Sequence, residues 1–168
     1  MFAQNSFNVN TQSIGVNSSF FVEISLDNTS EVTAFQFDIS HNESAYELSN
    51  TSALTSRAEN HTLSVSTIDD NTIRVLVYSA ANEVISIGDG AILNLSFNSK
   101  NEPGTYNLNL SDIVLSDANG ASLGVSSSNG SVTILGPRYN LVTSSVDFGE
   151  IPMESSPTQS VSVSNTGN

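Results

Sequence analysis

The side chains that carry chemistry in this chain are overwhelmingly carboxylates, serines and a pair of histidines. Seventeen Asp and Glu stand against four Lys and Arg, a formal charge of -13 over 168 residues. Hydrolysis by paired carboxylates needs two acids held at fixed separation in a cleft. These acids fall mainly at strand ends and turns, where hydration is the default, and no pair is nominated. Gly124-Val125-Ser126-Ser127-Ser128 lacks the closing glycine of a nucleophile elbow and has no His partner in reach of the motif. His41 and His61 have no zinc-ligand spacing and read as exposed turn residues. Asp112, Asp117 and Asn119 are spaced closely enough to suggest a calcium loop, but the further acidic ligands and terminal Glu are missing, and Asn119-Gly120 is explained by a turn. The expectation is therefore no catalytic residue and no cofactor, with calcium as the one ion to consider.

The same charge excludes other classes of partner. A nucleic-acid backbone is repelled, and no basic stripe offsets that repulsion. Cysteine is absent, so there is neither a disulfide framework nor thiol chemistry, which is consistent with an exported protein whose core needs no staples. No apolar run is long enough to cross a bilayer. Met1-Phe2-Ala3-Gln4 looks like the tail of a secretory signal, a small residue before a polar mature start.

The elements that position these side chains are strands. In Val32 to Ser40, Phe35, Phe37 and Ile39 alternate with Ala34, Gln36, Asp38 and Ser40, which makes this a central strand with one buried face. Ser6 to Thr11 is a first strand. Ser19 to Asn28 is a second, with Phe20, Val22, Ile24 and Leu26 on one side. Thr62 to Ile68 and Asn71 to Ser79 form a hairpin about Asp69-Asp70. Ala91 to Asn98, Tyr106 to Leu115 and Ser131 to Leu135 continue the pattern, while Ser49 to His61 has no periodicity and reads as a loop. Many short strands between turn signals, with no useful helical period, predict an all-β sandwich or jelly roll.

The hairpin's second strand is apolar on both sides, Ile73, Val75 and Val77 on one and Leu76 and Tyr78 on the other, with Arg74 on the latter side near the strand end. An antiparallel strand normally wets one face, so a double apolar pattern implies either a covering loop or a patch left for a partner. Gly136-Pro137-Arg138 marks a boundary, since proline cannot continue a ladder. Beyond it, Leu141 to Phe148 and Gln159 to Ser164 read as two more strands, too few to make a core.

Taken in order, Val32 to Ser40, Ile87-Gly88-Asp89-Gly90 through Phe97, Pro103-Gly104-Thr105-Tyr106, Asp117-Ala118-Asn119-Gly120 and Asn129 to Ile134 resemble the cohesin family over residues 6 to 135. Cohesins are the dockerin-binding modules of bacterial cellulosomes and related surface proteins. The resemblance implies an all-β jelly-roll β-sandwich of about nine strands, shared with several carbohydrate-binding modules. It also implies a non-catalytic role outside the cell or on its surface, in assembly or polysaccharide breakdown. The partner implied is a dockerin-like module, with polysaccharide or a passive adhesin role as alternatives. Carried over by motif, the dockerin-contacting sheet positions are Ala34, Gln36, Ser66, Ile68, Val75, Val77 and Ser79. Gln36 stands where the family often has aspartate, and His41-Asn42-Glu43 where it often has Tyr-Asp-Pro, which changes the charge-assisted bonds a partner can make. The tail, Ser144 to Ile151 with Ser160 to Asn168, is similar to the first two strands of immunoglobulin-like modules of the abnormal-spindle and hydin type. The domains expected are thus a cohesin-like sandwich over 1–135, then a linker and two strands of an incomplete immunoglobulin-like domain over 136–168.

Overall fold

The computed structural model describes residues 5–137, 139–141 and 145–165. The secretory-signal reading at Met1 to Gln4 lies outside the described residues, as do 142–144 of the expected Leu141 to Phe148 strand. In chain order the strands are β1 Asn5–Val9, β2 Thr11–Gly15, β3 Ser19–Asp27, β4 Ala34–Ser40, β5 Tyr46–Leu48, β6 Ala53–Leu54, β7 Thr62–Asp69 and β8 Thr72–Tyr78. They continue as β9 Ala91–Ser99, β10 Gly104–Leu108, β11 Leu110–Ser116, β12 Val125–Ser128, β13 Gly130–Leu135, β14 Tyr139–Leu141 and β15 Val163–Asn165. Among the described residues no helix is long and apolar enough to cross a membrane.

Two sheets make the sandwich. One runs β12-β1-β3-β9-β5, with β6 also paired to β9, and the other runs β11-β4-β8-β7. Their inner faces interdigitate: Phe7 of β1 meets Phe35 and Phe37 of β4 at ring-centroid distances of 5.3 and 5.5 Å. These tilted contacts suit rings whose faces are electron-rich and edges electron-poor. A third sheet of three strands runs β10-β13-β2. The thirteen strands up to Leu135 exceed the nine or so expected, because long strands break where they pass from sheet to sheet. Asn10 is one such break. It leaves β1 and β2 in different sheets, and its side-chain oxygen accepts the Glu23 amide at 2.9 Å.

The alternation read from the sequence holds in β3 and β4, whose Phe20, Val22, Ile24, Leu26, Phe35, Phe37 and Ile39 are all buried. The expected loop Ser49 to His61 is more structured than its composition suggested. It contains β6 and a 3-10 turn, Ser56–Ala58, capped by the Thr55 hydroxyl. Non-local pairing to β9, not local periodicity, makes β6 a strand. In the tail, β14 pairs with β15, while Ser145 to Phe148 and Gln159 to Ser162 lie outside strands.

Candidate functional site

The β11-β4-β8-β7 sheet buries one face and leaves the other open. Its register decides which side chains share that open face. Phe35 and Phe37 pair with Val77 and Val75, and these in turn with Leu63 and Val65. Residues directly opposite in an antiparallel ladder point to the same side, so Val75 and Val77 lie with the phenylalanines in the core, both at 0% exposure. Their assignment to the partner-binding wall is therefore corrected. The reason is electrostatic as well as geometric: with Val75 and Val77 outward, Arg74 would be turned into the apolar interior, at a cost of several kcal/mol for an unpaired charge.

The other five expected contact residues are placed as follows. Ala34, Gln36 and Ser66 do face outward, on β4 and β7, opposite Tyr78, Leu76 and Arg74 respectively. Ile68 is exposed but sits in the bulge between Thr67 and Asp69, at the sheet's edge. Ser79 is past the end of β8, where its hydroxyl accepts the Glu83 amide at 2.9 Å and serves a turn.

The centre of the open face belongs to residues outside the expected contact set, two of them from the second apolar side of β8. Leu76, Tyr78 and Val114 are exposed there at 37, 40 and 50%. Ala34, Gln36, Leu76, Val114 and Ser116 line a shallow depression between β11, β4 and β8. Neither the Gln36 amide nor the Tyr78 hydroxyl is hydrogen-bonded within the described residues, so both can pair with an arriving surface. A serine row from β7, Ser64 and Ser66, borders the apolar centre on one side.

At one end of this face Arg74 grips Asp38 with a two-pronged bond, Nε to Oδ1 and Nη2 to Oδ2, both 2.7 Å. Such fork geometry is the strongest form of the carboxylate–guanidinium contact. The guanidinium holds the Asp38 carboxyl below its ordinary value, against the opposing effect of burial. Asp38 is thus neutralised in place on an outward position of β4. Asp112 lies close by in the bulge that shifts β11 against β4, with φ of 48°.

The remaining chemistry candidates take structural positions. Asp117 accepts the Asn119 and Ala121 amides through one carboxylate oxygen, each at 2.9 Å, which lowers its pKa and closes the turn that ends at Gly120. No group of three His, Asp or Glu side chains converges among the described residues. His41 is not an exposed turn residue: its side chain is enclosed, with ring contacts to Tyr46 and Phe97, because the turn after β4 folds back over the core. His61 is half-buried, and burial lowers its pKa. Among the described residues, the exposed aromatics do not form the row a sugar chain would stack on. Phe21 of β3 and Tyr78 of β8 project from different sheets, and Phe148 lies outside strands in the tail.

A jelly-roll sandwich with one flat, open sheet face and an apolar centre has the build of a module that meets another macromolecule. The comparisons make the class specific. The family model described as the cohesin domain matches residues 6–134, and the chain belongs to that family. Among solved structures, a non-cellulosomal cohesin from the hyperthermophilic archaeon Archaeoglobus fulgidus is 20% identical, with a TM-score of 0.68, covering 80% of this chain and 93% of that one. The cohesin A2 module of Clostridium acetobutylicum is 20% identical at TM-score 0.67, covering 78% and 90%. A type I cohesin–dockerin complex from Clostridium thermocellum is 16% identical at TM-score 0.71, covering 79% of this chain and all of that one. No curated protein sequence matches the chain.

Proposed function

We propose that this domain is a non-catalytic docking module that captures a dockerin-like partner on the open face of the β11-β4-β8-β7 sheet. The observation that carries the reading is the cluster of Leu76, Tyr78 and Val114 standing exposed on one otherwise polar sheet face of a cohesin domain. A buried aromatic or aliphatic anchor ringed by polar groups is how interfaces concentrate their energy. Ala34, Gln36 and Ser66 extend that contact, with Gln36 supplying an orienting amide. Extracellular or cell-surface placement, and a part in polysaccharide breakdown, belong to this same reading. So does the division into a sandwich over 1–135 and a linker with the opening strands of an immunoglobulin-like domain over 136–168, which the β14–β15 pair supports.

The test is capture of a panel of purified dockerins by the full chain and by Leu76→Asp and Tyr78→Ala. Binding by the native chain and a loss of roughly 100-fold in each variant is expected of central anchors. Unchanged binding in both variants, or no dockerin bound by the native chain, refutes the proposal.

A further inference from the structure

Arg57 lies in the segment that reads as featureless loop, yet it is the most heavily engaged basic residue of the domain. The 3-10 turn that carries it is pinned on three sides. The Thr55 hydroxyl donates to the Ala91 carbonyl at 2.6 Å, the Thr55 amide donates to the Ile92 carbonyl at 3.0 Å, and Ala58 is buried. From there the guanidinium enters a ring of oxygens. Nη1 donates to the Leu26 carbonyl and, at 3.2 Å, to that of Gly90; Nη2 donates to Asn28 Oδ1 and to the carbonyls of Ser86 at 3.2 Å and Gly88 at 2.5 Å. Five oxygens thus converge on two nitrogens, four of them main-chain carbonyls.

Those oxygens come from two segments that must be held together. Leu26 and Asn28 belong to the end of β3 and the residue just past it. Ser86, Gly88 and Gly90 belong to a strap, residues 79–90, that runs from the end of β8 to β9. Gly88 and Gly90 adopt φ of 148° and 130°, conformations that side-chain-bearing residues rarely take. The strap lies against β3 and the approach to β4 through few backbone bonds: Asn28 and Gly88 exchange two at 2.9 and 3.0 Å, Leu26 donates to Gly90 at 3.0 Å, and Ile85 and Val32 exchange two at 2.7 and 3.2 Å. Asn28 itself is buried, and its Nδ2 reaches the Ser30, Ile85 and Ser86 carbonyls. Its Oδ1, in the same buried place, accepts from the Arg57 guanidinium. Asp27 and Asp89 flank the site and supply a negative field.

Converging carbonyls are what a protein builds to hold a hard cation. We infer that these oxygens form a cation cage whose resident cation is Arg57 itself, a tethered guanidinium that fastens the strap 79–90 to β3. A planar fork suits it: the acceptors are distributed between the two terminal nitrogens, which a point-charge ammonium cannot match. Emptied by truncation, the cage takes a free guanidinium ion.

The experiment is amide exchange on the full chain, native and Arg57→Ala, followed at Ile85, Gly88, Leu26 and Asn28, with methylguanidinium, methylammonium, calcium or sodium chloride added at equal ionic strength. In Arg57→Ala these amides are expected to exchange at least tenfold faster, while the buried amides of β4 keep their protection. Methylguanidinium restores most of the lost protection, and the other three cations do not. Unchanged exchange in the variant overturns the inference, as does a loss that methylguanidinium fails to reverse. Restoration by calcium or methylammonium overturns the fork and leaves a mere charge site. Should Arg57→Ala not fold, Arg57→Lys decides the matter: strap amides as well protected as in the native chain show that charge alone suffices, and weakened protection confined to the strap supports the cage.

Discussion

Val75 and Leu76 are neighbours on one strand, and the structure assigns them opposite fates. Val75 is fully enclosed between Phe37 and Val65, whereas Leu76 is 37% exposed over Gln36 and Ser64. Truncating Val75→Ala removes two buried methyl groups, about 1.6 kcal/mol at roughly 0.8 kcal/mol each, and the cavity left behind brings the cost to about 2–3 kcal/mol. Val75→Asp leaves a carboxyl without a partner among phenylalanines. That penalty of several kcal/mol is comparable to the whole stability of a domain, typically about 5–15 kcal/mol. Leu76→Asp gives up only the covered part of one side chain, about 1 kcal/mol, since its carboxylate stands in water. The assay is urea denaturation followed by far-UV circular dichroism, beside dockerin capture. Val75→Ala should lower the midpoint at unchanged slope, Val75→Asp should leave little folded protein, and Leu76→Asp should stay within about 4 °C of the native melting temperature while losing its partner. A Leu76→Asp variant less stable than Val75→Ala would show that the wrong side of β8 has been placed inside.

Four further outcomes follow from particular contacts. Asp38, its carboxyl held below 3.8 by Arg74, contributes stability that is complete above that value and is lost as pH falls through the lower native-state one. Asp38→Asn should therefore be less stable at neutral pH and show a shallower acid limb in melting temperature between pH 5 and pH 2, and an unchanged limb would contradict this. Burial pushes the Tyr46 hydroxyl up to about 12 from 10.0, so its contribution is whole below pH 10 and fades as pH rises toward 12; absorbance titration should show a late tyrosinate phase that disappears in Tyr46→Phe. At Gly130 an added Cβ would meet the Asn10 and Val9 carbonyl oxygens at 2.3 and 2.7 Å. Since backbone must move to admit it, Gly130→Ala should cost about 1–3 kcal/mol by chemical denaturation. Among the described residues the buried apolar core runs from Phe7 to Ile134, so a chain ending at Pro137 should melt within about 2 °C of the full one, and a larger drop would tie the tail to the sandwich.

Much of the fold was legible because its strands alternate and its turns carry the residues turns require. β3 and β4 read correctly from period-2 patterning alone, since one face of each meets a dense core and the other does not. β6 and the turn bearing Arg57 were illegible for the converse reason: their structure comes from β9 and from carbonyls distant in sequence, and a Ser, Thr and Asn-rich stretch has no local signal of that. The face proposed for docking was half legible. The family resemblance put Ala34, Gln36 and Ser66 on the contact face, and the alternation of β4 agrees for the first two, but β8 is apolar on both sides, so its pattern alone does not choose a face. The deciding signal was present in Arg74. A guanidinium shares its side of a strand with Leu76 and Tyr78, and only the outward side gives it both water and the Asp38 carboxylate.

That ion pair bears on what the face can vary. A one-residue slip of β8 against β4 would move Arg74 in among Phe35 and Phe37 and push Val75 and Val77 into water, so the charged pair and the phenylalanines together exclude the alternative register. The backbone of the face is thereby fixed independently of the side chains at its centre. Structures 16–20% identical to this chain keep the same sandwich, as expected if pattern and register, rather than particular outward residues, define the fold. Ala34, Gln36, Leu76, Tyr78 and Val114 can then change with little cost to folding, and it is on these five positions that selectivity among partners should rest. Exchanging them as a set, while leaving Asp38 and Arg74 in place, should redirect binding without moving the denaturation midpoint. Exchanging the ion pair for leucines at the same positions should do the reverse: the face would keep its centre but lose the charge that forbids the slipped register, and heterogeneous strand pairing, seen as doubled amide resonances in β8, is the expected result.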